Sequence, residues 1–317
     1  MSLLEKQQRR FAFWAILPAF LLFSFWVAWP ALKGFQFALS RWDGLTPPVP
    51  VGLGNFREMF DAFFNPDAGP AARMLPIAFQ NNLILMIFPM IIILSISLFF
   101  ASAFRKGIAG ASLFRVAFFF PNILSSVAVS VLWMLLYSTS SFGVFNSILG
   151  SLNQVLIQLG WVDRPLVSTP FEFTNSAILA WSLIPMIVWT ATGFYMLLFL
   201  AAMQSIPDSL YEAATVDGAS HFTQFRCITF PLIRDTVVTG MVFLLLGGLK
   251  IFDQVWVIEQ QQSRPDSNTL ATLMYSKVFN EYQVGYGTAI AVFLFILVLV
   301  FSLATLRLYR REALEFS

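Results

Sequence analysis

The sequence predicts an all-α polytopic membrane protein with six transmembrane helices and both termini in the cytoplasm. Of its 317 residues, 58% are hydrophobic and only 11% are charged, whereas ordinary soluble domains contain about 25% charged residues. The mean hydropathy is +0.74. Six apolar runs alternate with polar segments, and an apolar helix of about 20 residues crosses a bilayer core of about 30 Å. A net charge of +2 is too small to indicate a nucleic-acid partner.

The six expected spans lie within a transmembrane domain covering residues 11–308, between a short N-terminus (1–10) and a short C-terminus (309–317). They are residues 11–32, 77–104, 112–137, 175–203, 236–258 and 287–308. The first run is too long for the core of a signal peptide, and no A-x-A cleavage site follows it closely. We therefore expect a retained span.

The polar segments between the spans predict the orientation of the chain. External loops are expected at 33–76, 138–174 and 259–286, and a long cytoplasmic loop at 203–235. In the first external loop, several prolines and glycines between Pro47 and Gly54 are expected to break any regular element. With both termini inside, the inner side holds 11 of the 19 basic residues, with a net charge of +4 against −2 outside. This distribution agrees with the positive-inside rule.

Polar side chains within the spans are candidates for helix contacts or a solute path. Asn82, at the outer end of the second span, is expected to face other helices or a wet cavity, because an unpaired buried amide costs free energy. In the third span, Pro121 precedes Asn122 and interrupts the helical hydrogen bonding. This feature fits a packing kink and a substrate contact equally well.

Two further spans carry residues that could border a path. Thr190, Ala191 and Phe194 of the fourth span share one helix face. In the fifth span Gly247 and Gly248 are followed by Lys250 and Asp253. These two charges are three residues apart and could pair on one helix face. They could also line a path or reach the membrane interface.

The sequence offers few groups for catalysis or metal binding. The single cysteine, Cys227, excludes an internal disulfide, and the single histidine, His221, offers neither a metal cluster nor a triad. No G-x-x-x-x-G-K-[ST] phosphate loop occurs anywhere in the chain. We therefore expect a non-catalytic chain that binds no cofactor and does not hydrolyse ATP.

The segment 205–235 predicts a bent helical hairpin outside the membrane. Pro207 suits a first helical turn, and Gly218 can adopt the left-handed conformation that closes a helix. Ser220 can cap the next helix through its side-chain oxygen. Pro231 is expected to bias Phe230 away from helical geometry and to mark the return towards the membrane.

This hairpin resembles a known loop. Its residues Glu212-Ala213-Ala214 and Asp217-Gly218-Ala219, followed by Phe225, Ile228-Thr229 and Pro231, resemble the EAA loop of membrane subunits in ATP-binding-cassette importers. The resemblance implies a coupling helix that docks in a cleft of a cytoplasmic ATPase. It further implies that Glu212 pairs with a basic ATPase residue, that Ala213 and Ala219 permit close contact, and that Gly218 makes the bend. The alternative is that Glu212 and Asp217 are solvated charges beside a helix end.

The resemblance extends through the outer segments and implies an assembly. The runs FALSRWDGL, FGVFNSIL and GLKIFDQVWVI are similar to carbohydrate-type permeases, specifically to the first of two permeases in maltose and glycerol-phosphate systems. The implied partners are a second permease, two ATPase subunits that bind ATP and Mg, and an external solute-binding protein, assembled at the cell membrane. The candidate residues of the solute path are Asn82, Asn122, Thr190, Ala191, Phe194, Gly248 and Ile251.

The main alternative is a secondary transporter or channel subunit driven by an ion gradient. Such a protein would be expected to carry mid-span carboxylates or an inverted internal repeat. The sequence contains neither, since Asp and Glu avoid the centres of the spans. A purely structural scaffold would leave the patterned hairpin unexplained.

Overall fold

The computed structural model describes residues 3–65, 70–105, 107, 110–140 and 142–309. The expected C-terminal segment from residue 310 onwards, including Arg310 and Arg311, lies outside the described residues, as does Lys106 of the expected inner loop. Within the described part, helices dominate. The β-structure there is one antiparallel pair of two-residue strands, with Ser40 opposite Pro50.

The helices follow one another along the chain with short connections. The first, α1, comprises Leu3–Phe23, a π-helical turn Ser24–Ala28 and Trp29–Ala38. Strands β1 (Ser40–Arg41) and β2 (Val49–Pro50) follow. The next helices are α2 (Gly54–Phe64), α3 (Pro70–Arg105), α4 (Ala111–Ile123), α5 (Ser126–Leu136), α6 (Val144–Gln158), α7 (Leu179–Gln204) and α8 (Asp208–Val216). Helix α9 comprises His221–Gln224, a π-helical turn Phe225–Thr229 and Phe230–Leu232. The remaining helices are α10 (Arg234–Leu249), α11 (Asp253–Ile258), α12 (Leu270–Tyr275, then a π-helical turn Ser276–Asn280) and α13 (Val284–Tyr309).

Among the described residues, five helical stretches are long and apolar enough to cross a membrane, and a bent pair forms a sixth crossing if it is counted as one span. The five stretches are Gln7–Ala38, Ala72–Arg105, Ser176–Gln204, Arg234–Ile258 and Val284–Arg307. The pair is α4 with α5, between which the helix direction bends by 100°. This pattern confirms the all-α polytopic fold.

The first external loop is more regular than the sequence suggested. We expected no regular element within 33–76, yet α1 continues to Ala38, α2 occupies Gly54–Phe64 and α3 begins at Pro70. The expectation was wrong because the breaker residues between Pro47 and Gly54 interrupt only the stretch between α1 and α2 and leave the flanking helices intact. Gly52, at φ +56°, turns the chain just before α2, and proline is favourable at the first position of a helix.

The described residues form two compact units. One comprises residues 3–65 and 274–293, and the other comprises the described residues within 70–273 and 294–309. In the first unit, the buried amide of Asn55 donates to the carbonyls of Ala38 (2.8 Å) and Ser40 (2.9 Å). This amide therefore fixes the start of α2 against the end of α1.

Helices α3 and α7 pack along each other at the centre of the second unit. Ile93 and Phe104 of α3 meet Met196 and Phe199 of α7 in one apolar cluster, and all four are at most 5% exposed. Between the same helices, the hydroxyl of Ser97 donates to the carbonyl of Thr192 at 3.0 Å. Helix contacts within a membrane depend on such packing and hydrogen bonds, because lipid is as apolar as the side chains.

Glycines allow two of the closest helix crossings in this unit. A Cβ atom added at Gly193 of α7 would lie 2.0 Å from the carbonyl oxygen of Phe118 of α4. A Cβ atom added at Gly248 of α10 would lie 2.5 Å from the Cα atom of Met86 of α3. In both places the neighbouring backbone occupies the space that any other residue would need, so the crossing requires glycine.

The fifth expected span is interrupted between α10 and α11, at residues 250–252. No proline causes the break. Asn82 donates to the carbonyls of Gly248 and Leu249, and Thr269 donates to the carbonyl of Ile251. These side chains satisfy carbonyl groups at the end of α10, which stabilises the helix end there.

Candidate functional site: a polar helical hairpin and a cleft between helices

The first arm of the hairpin, α8, ends as the sequence predicts. Gly218 has φ +76° and lies in the left-handed region. The N–H of Ala219 donates to the carbonyl of Ala214 at 2.9 Å, and the N–H of Gly218 donates to the carbonyl of Thr215 at 3.0 Å. These two bonds form a Schellman motif, which confirms Gly218 as the residue that bends the hairpin.

The second arm, α9, begins with the predicted cap. The hydroxyl oxygen of Ser220 accepts a hydrogen bond from the N–H of Thr223 at 3.2 Å. The amide of Gln224 then donates to the hydroxyl of Thr215 on α8 at 3.0 Å. This bond holds the two arms together.

The expected break at Pro231 is not present. Phe230 has φ −60° and ψ −45°, so its geometry is helical and the expectation was wrong. The chain widens into a π-helical turn, in which the N–H of Phe230 donates to the carbonyl of Phe225, five residues back. The wider turn accommodates a proline that has no N–H to donate.

The residues that the EAA resemblance singles out lie together on the hairpin. Exposed among them are Glu212, Ala213, Asp217 and Gly218, while Ala214 and Ala219 are half-buried. Glu212 also borders a shallow concavity of about 440 Å³ with Asp208, Tyr211 and Thr215.

Two large apolar side chains near the bend are exposed. Val216 at the end of α8 is 88% exposed, and Phe222 at the start of α9 is 72% exposed. His221 and Cys227 of the same arm are also exposed. Exposed apolar residues rimmed by polar ones are typical of a protein-binding surface.

A cleft of about 720 Å³ opens among α3, α4, α7, α10 and α11 in the same unit. Six of the seven residues predicted for the solute path line it: Asn122, Thr190, Ala191, Phe194, Gly248 and Ile251. The cleft lies within the usual size range of ligand pockets, about 300–1,000 Å³. Its wall combines apolar side chains with a few polar groups, including the amides of Asn122 and Gln254.

The seventh residue, Asn82, lies outside the lining of this cleft. Its side chain is completely buried, and its amide donates to the carbonyls of Gly248 and Leu249, each at 3.0 Å. Its oxygen accepts from the N–H of Leu270 at 2.7 Å. Asn82 therefore joins three segments behind the cleft wall, as expected for a buried amide that faces other helices.

Lys250 and Asp253 do not form the pair that the sequence suggested. No ion pair within 4.0 Å joins them among the described residues; instead Asp253 accepts from the hydroxyl of Ser126 at 2.6 Å. The expectation failed because the helix ends between them, so their spacing of three residues no longer places them on one helix face. Both side chains line the cleft.

The sequence did not identify several other lining residues. Pro89 and Met90 of α3, and Phe243 of α10, contribute to the wall. The proline within the second apolar run was the available signal, because proline in a membrane helix leaves backbone groups that need another partner.

Comparison with known proteins identifies the family. No protein-family model matches the chain. The xylose/arabinose import permease protein XacH of Haloferax volcanii is 31% identical over 269 residues, which cover 84% of this chain and 78% of the relative. The trehalose/maltose transport system permease protein MalF of Thermococcus litoralis is 26% identical, with 98% of both chains covered. The diacetylchitobiose uptake system permease protein NgcF of Streptomyces coelicolor is 29% identical, covering 89% of this chain and 77% of the relative.

The fold also matches a solved transporter. A chain in the crystal structure of a bacterial alginate ABC transporter, in complex with an alginate pentasaccharide-bound periplasmic protein, superimposes with a TM-score of 0.74 over 98% of this chain and 97% of that one. The identity of 21% makes this a likeness of fold. With the extent of the sequence match, the helical membrane architecture and the capped hairpin, it leads to one conclusion: the chain belongs to the family of integral-membrane permease subunits of ATP-binding-cassette (ABC) importers.

Proposed function

We propose that this permease imports a carbohydrate, and that its hairpin receives the motion of an ATPase that docks on it. The observation that carries the docking proposal is the hairpin itself. Its helix ends are capped, a hydrogen bond joins its two arms, and an exposed glutamate lies beside exposed apolar side chains. We further propose that the chain is non-catalytic and that ATP and Mg are bound by the partner ATPase subunits. A second permease and an external solute-binding protein complete the proposed assembly.

The chemistry of the cleft supports a carbohydrate as the solute. Sugars present flat apolar ring faces together with hydroxyl groups at the ring edge. The cleft offers aromatic side chains for the first, including Phe194 and Phe243, and amide groups for the second, including Asn122 and Gln254. The hydroxyl of Thr190 donates to its own helix, which leaves its oxygen able to accept from a solute.

Replacing Glu212 by alanine is expected to release the ATPase. Removing one partner of a charge pair that is buried in an interface weakens the binding free energy by about 2 kcal/mol or more. This corresponds to at least about a 30-fold weaker association. The tagged permease is expressed together with its partner subunits, and the amount of ATPase that co-purifies with it is measured. Glu172→Ala, which removes an exposed glutamate from the expected external loop 138–174, is the matched control. Equal retention of the ATPase by both variants would contradict the docking role.

Filling the cleft is expected to stop uptake without affecting ATPase docking. Gly247 lines the cleft, and an added Cβ atom there meets no other atom within 4 Å. Gly247→Trp therefore places an indole in the open space with little disturbance of the helix, and solute uptake into proteoliposomes should fall to background. Gly150→Trp, at a position on α6 with equally open surroundings, is the control. Normal uptake by Gly247→Trp would show that the solute does not cross this cleft.

The solute class can be tested in the same assay. Unlabelled neutral mono- and oligosaccharides, amino acids and inorganic anions are added separately as competitors of uptake from a mixture of labelled sugars. Competition by saccharides alone supports the carbohydrate proposal, and competition by amino acids or anions overturns it.

A further inference from the structure

One arginine outside the hairpin is positioned to hold it. Arg105 is the last residue of α3, and its side chain is 18% exposed. Its Nη2 atom lies 2.7 Å from Oδ1 of Asp208, and its Nε atom donates to the carbonyl of Met203 at 3.2 Å. Its guanidinium carbon lies 3.8 Å from the centre of the Tyr211 ring. The three partners belong to the last turn of α7 and to the first arm of the hairpin.

These contacts use the shape of the guanidinium group as well as its charge. Asp208 is 85% exposed, and an ion pair with so exposed a partner contributes little to stability. The planar group stacks on Tyr211 while a different nitrogen reaches the carbonyl of Met203. A lysine would keep the charge, but it could not stack on Tyr211 and also donate from two separate nitrogens to Asp208 and Met203.

The contact continues into the second arm of the hairpin. The hydroxyl of Tyr211 lies 2.8 Å from the hydroxyl of Thr229 on α9. Thr229 is buried, so this bond lies on the inner side of the hairpin. Arg105, Tyr211 and Thr229 thus connect the end of α3 to both arms, while Glu212 remains exposed for another partner.

Helix α3 also reaches the cleft. Leu85, Pro89 and Met90 line the cleft wall, and Arg105 lies 16 positions after Pro89, about 24 Å along the helix. Pro89 has no N–H, so the helix lacks one backbone hydrogen bond at the cleft and can bend there. The hairpin is adjacent in sequence to α7 and α10 only, and Arg105 adds a helix that the sequence does not connect to it.

We propose that Arg105 is a positioning residue that fixes the hairpin to α3, so that movement of the docked hairpin is passed through α3 to the cleft wall. This proposal rests on the docking function proposed above. It predicts that loss of the Arg105 contacts separates ATP hydrolysis from transport while the ATPase remains bound. A residue that only stabilised the fold would instead lower the yield or the thermal stability of the whole chain.

The test uses the assembled importer in proteoliposomes and three variants. Arg105→Met keeps the length and apolar stem of the side chain, Arg105→Lys keeps the charge, and Tyr211→Leu removes the stacking ring without changing any charge. Arg307→Met is the control, since it removes an exposed arginine from the end of α13. The measurements are ATPase co-purification, thermal stability, and solute transported per ATP hydrolysed.

Arg105→Met and Tyr211→Leu are expected to retain the ATPase and to lose at least about tenfold in solute transported per ATP, within the usual range of coupling free energies. Arg105→Lys should fall between them and the unsubstituted importer. Unchanged transport per ATP in Arg105→Met overturns the proposal, and so does loss of the ATPase from this variant or of its thermal stability. If the unsubstituted permease itself does not retain an ATPase, the docking function fails instead.

Discussion

Gly193→Ala is expected to destabilise the permease by about 3 kcal/mol or more, at the upper end of the effects of overpacking. The added Cβ atom would lie 2.0 Å from the carbonyl oxygen of Phe118, 2.3 Å from its carbonyl carbon and 2.7 Å from the nitrogen of Phe119. All three atoms belong to the backbone of α4, so no change of side-chain rotamer can relieve the contact. The two helices would have to separate along their crossing.

The chain contains a matched control for this prediction. Gly247→Ala makes the same substitution in a membrane helix, at a position where the new atom meets nothing within 4 Å. Since alanine favours a helix over glycine by about 1 kcal/mol, this variant should be at least as stable as the unsubstituted protein. The free energy of unfolding, measured by denaturant titration in detergent micelles, should fall only for Gly193→Ala. Equal values for both variants would show that α4 and α7 do not cross as closely as described.

Asn82→Leu is expected to lower the free energy of unfolding by about 3–5 kcal/mol, because each buried polar group left without a partner destabilises the fold by about 1–3 kcal/mol. The substitution removes the donor to the carbonyls of Gly248 and Leu249 and the acceptor for the N–H of Leu270. Leucine has a similar volume, so the effect arises from hydrogen bonding rather than from a cavity. The measurement is again the free energy of unfolding in micelles.

Two further variants separate the parts of this effect. Asn82→Asp keeps an acceptor for Leu270 but replaces the donor with a carboxylate oxygen that faces two carbonyls, so it should be at least as damaging as Asn82→Leu. Gln80→Leu, at an exposed position two residues away, should leave stability nearly unchanged. A stable Asn82→Asp protein would disprove the assigned orientation of the amide.

Local rules predicted the hairpin well. The left-handed Gly218 and the cap by Ser220 depend on residues within a few positions of each other, and both are present in the structure. Five of the six spans were likewise predictable, because a run of apolar residues long enough to cross the bilayer needs no information about its neighbours. The bend within the third, 112–137, was not predictable in this way. Six residues chosen for the solute path also line one cleft, and helical spacing places three of them, Thr190, Ala191 and Phe194, on one face.

Features that depend on distant residues were not predictable. The break between α10 and α11 is stabilised by Asn82 and Thr269, which lie far from it in the sequence. The contact of Arg105 with Asp208 joins residues 103 positions apart, and no periodicity signals it. At Pro231, the sequence correctly indicated a disturbance, but the choice between a break and a wider turn depends on the packing of α9.

The bend between α4 and α5 interrupts the third expected span beside the cleft. The two arms contain 13 and 11 residues and extend about 20 and 17 Å, so neither arm alone crosses a hydrocarbon core of about 30 Å. Non-helical backbone at membrane depth is tolerated only where it is buried in protein or meets water. Asn122, at this bend, borders the cleft. The backbone at the bend therefore adjoins the open space of the cleft, where solvent can satisfy the polar groups that lack a helical partner.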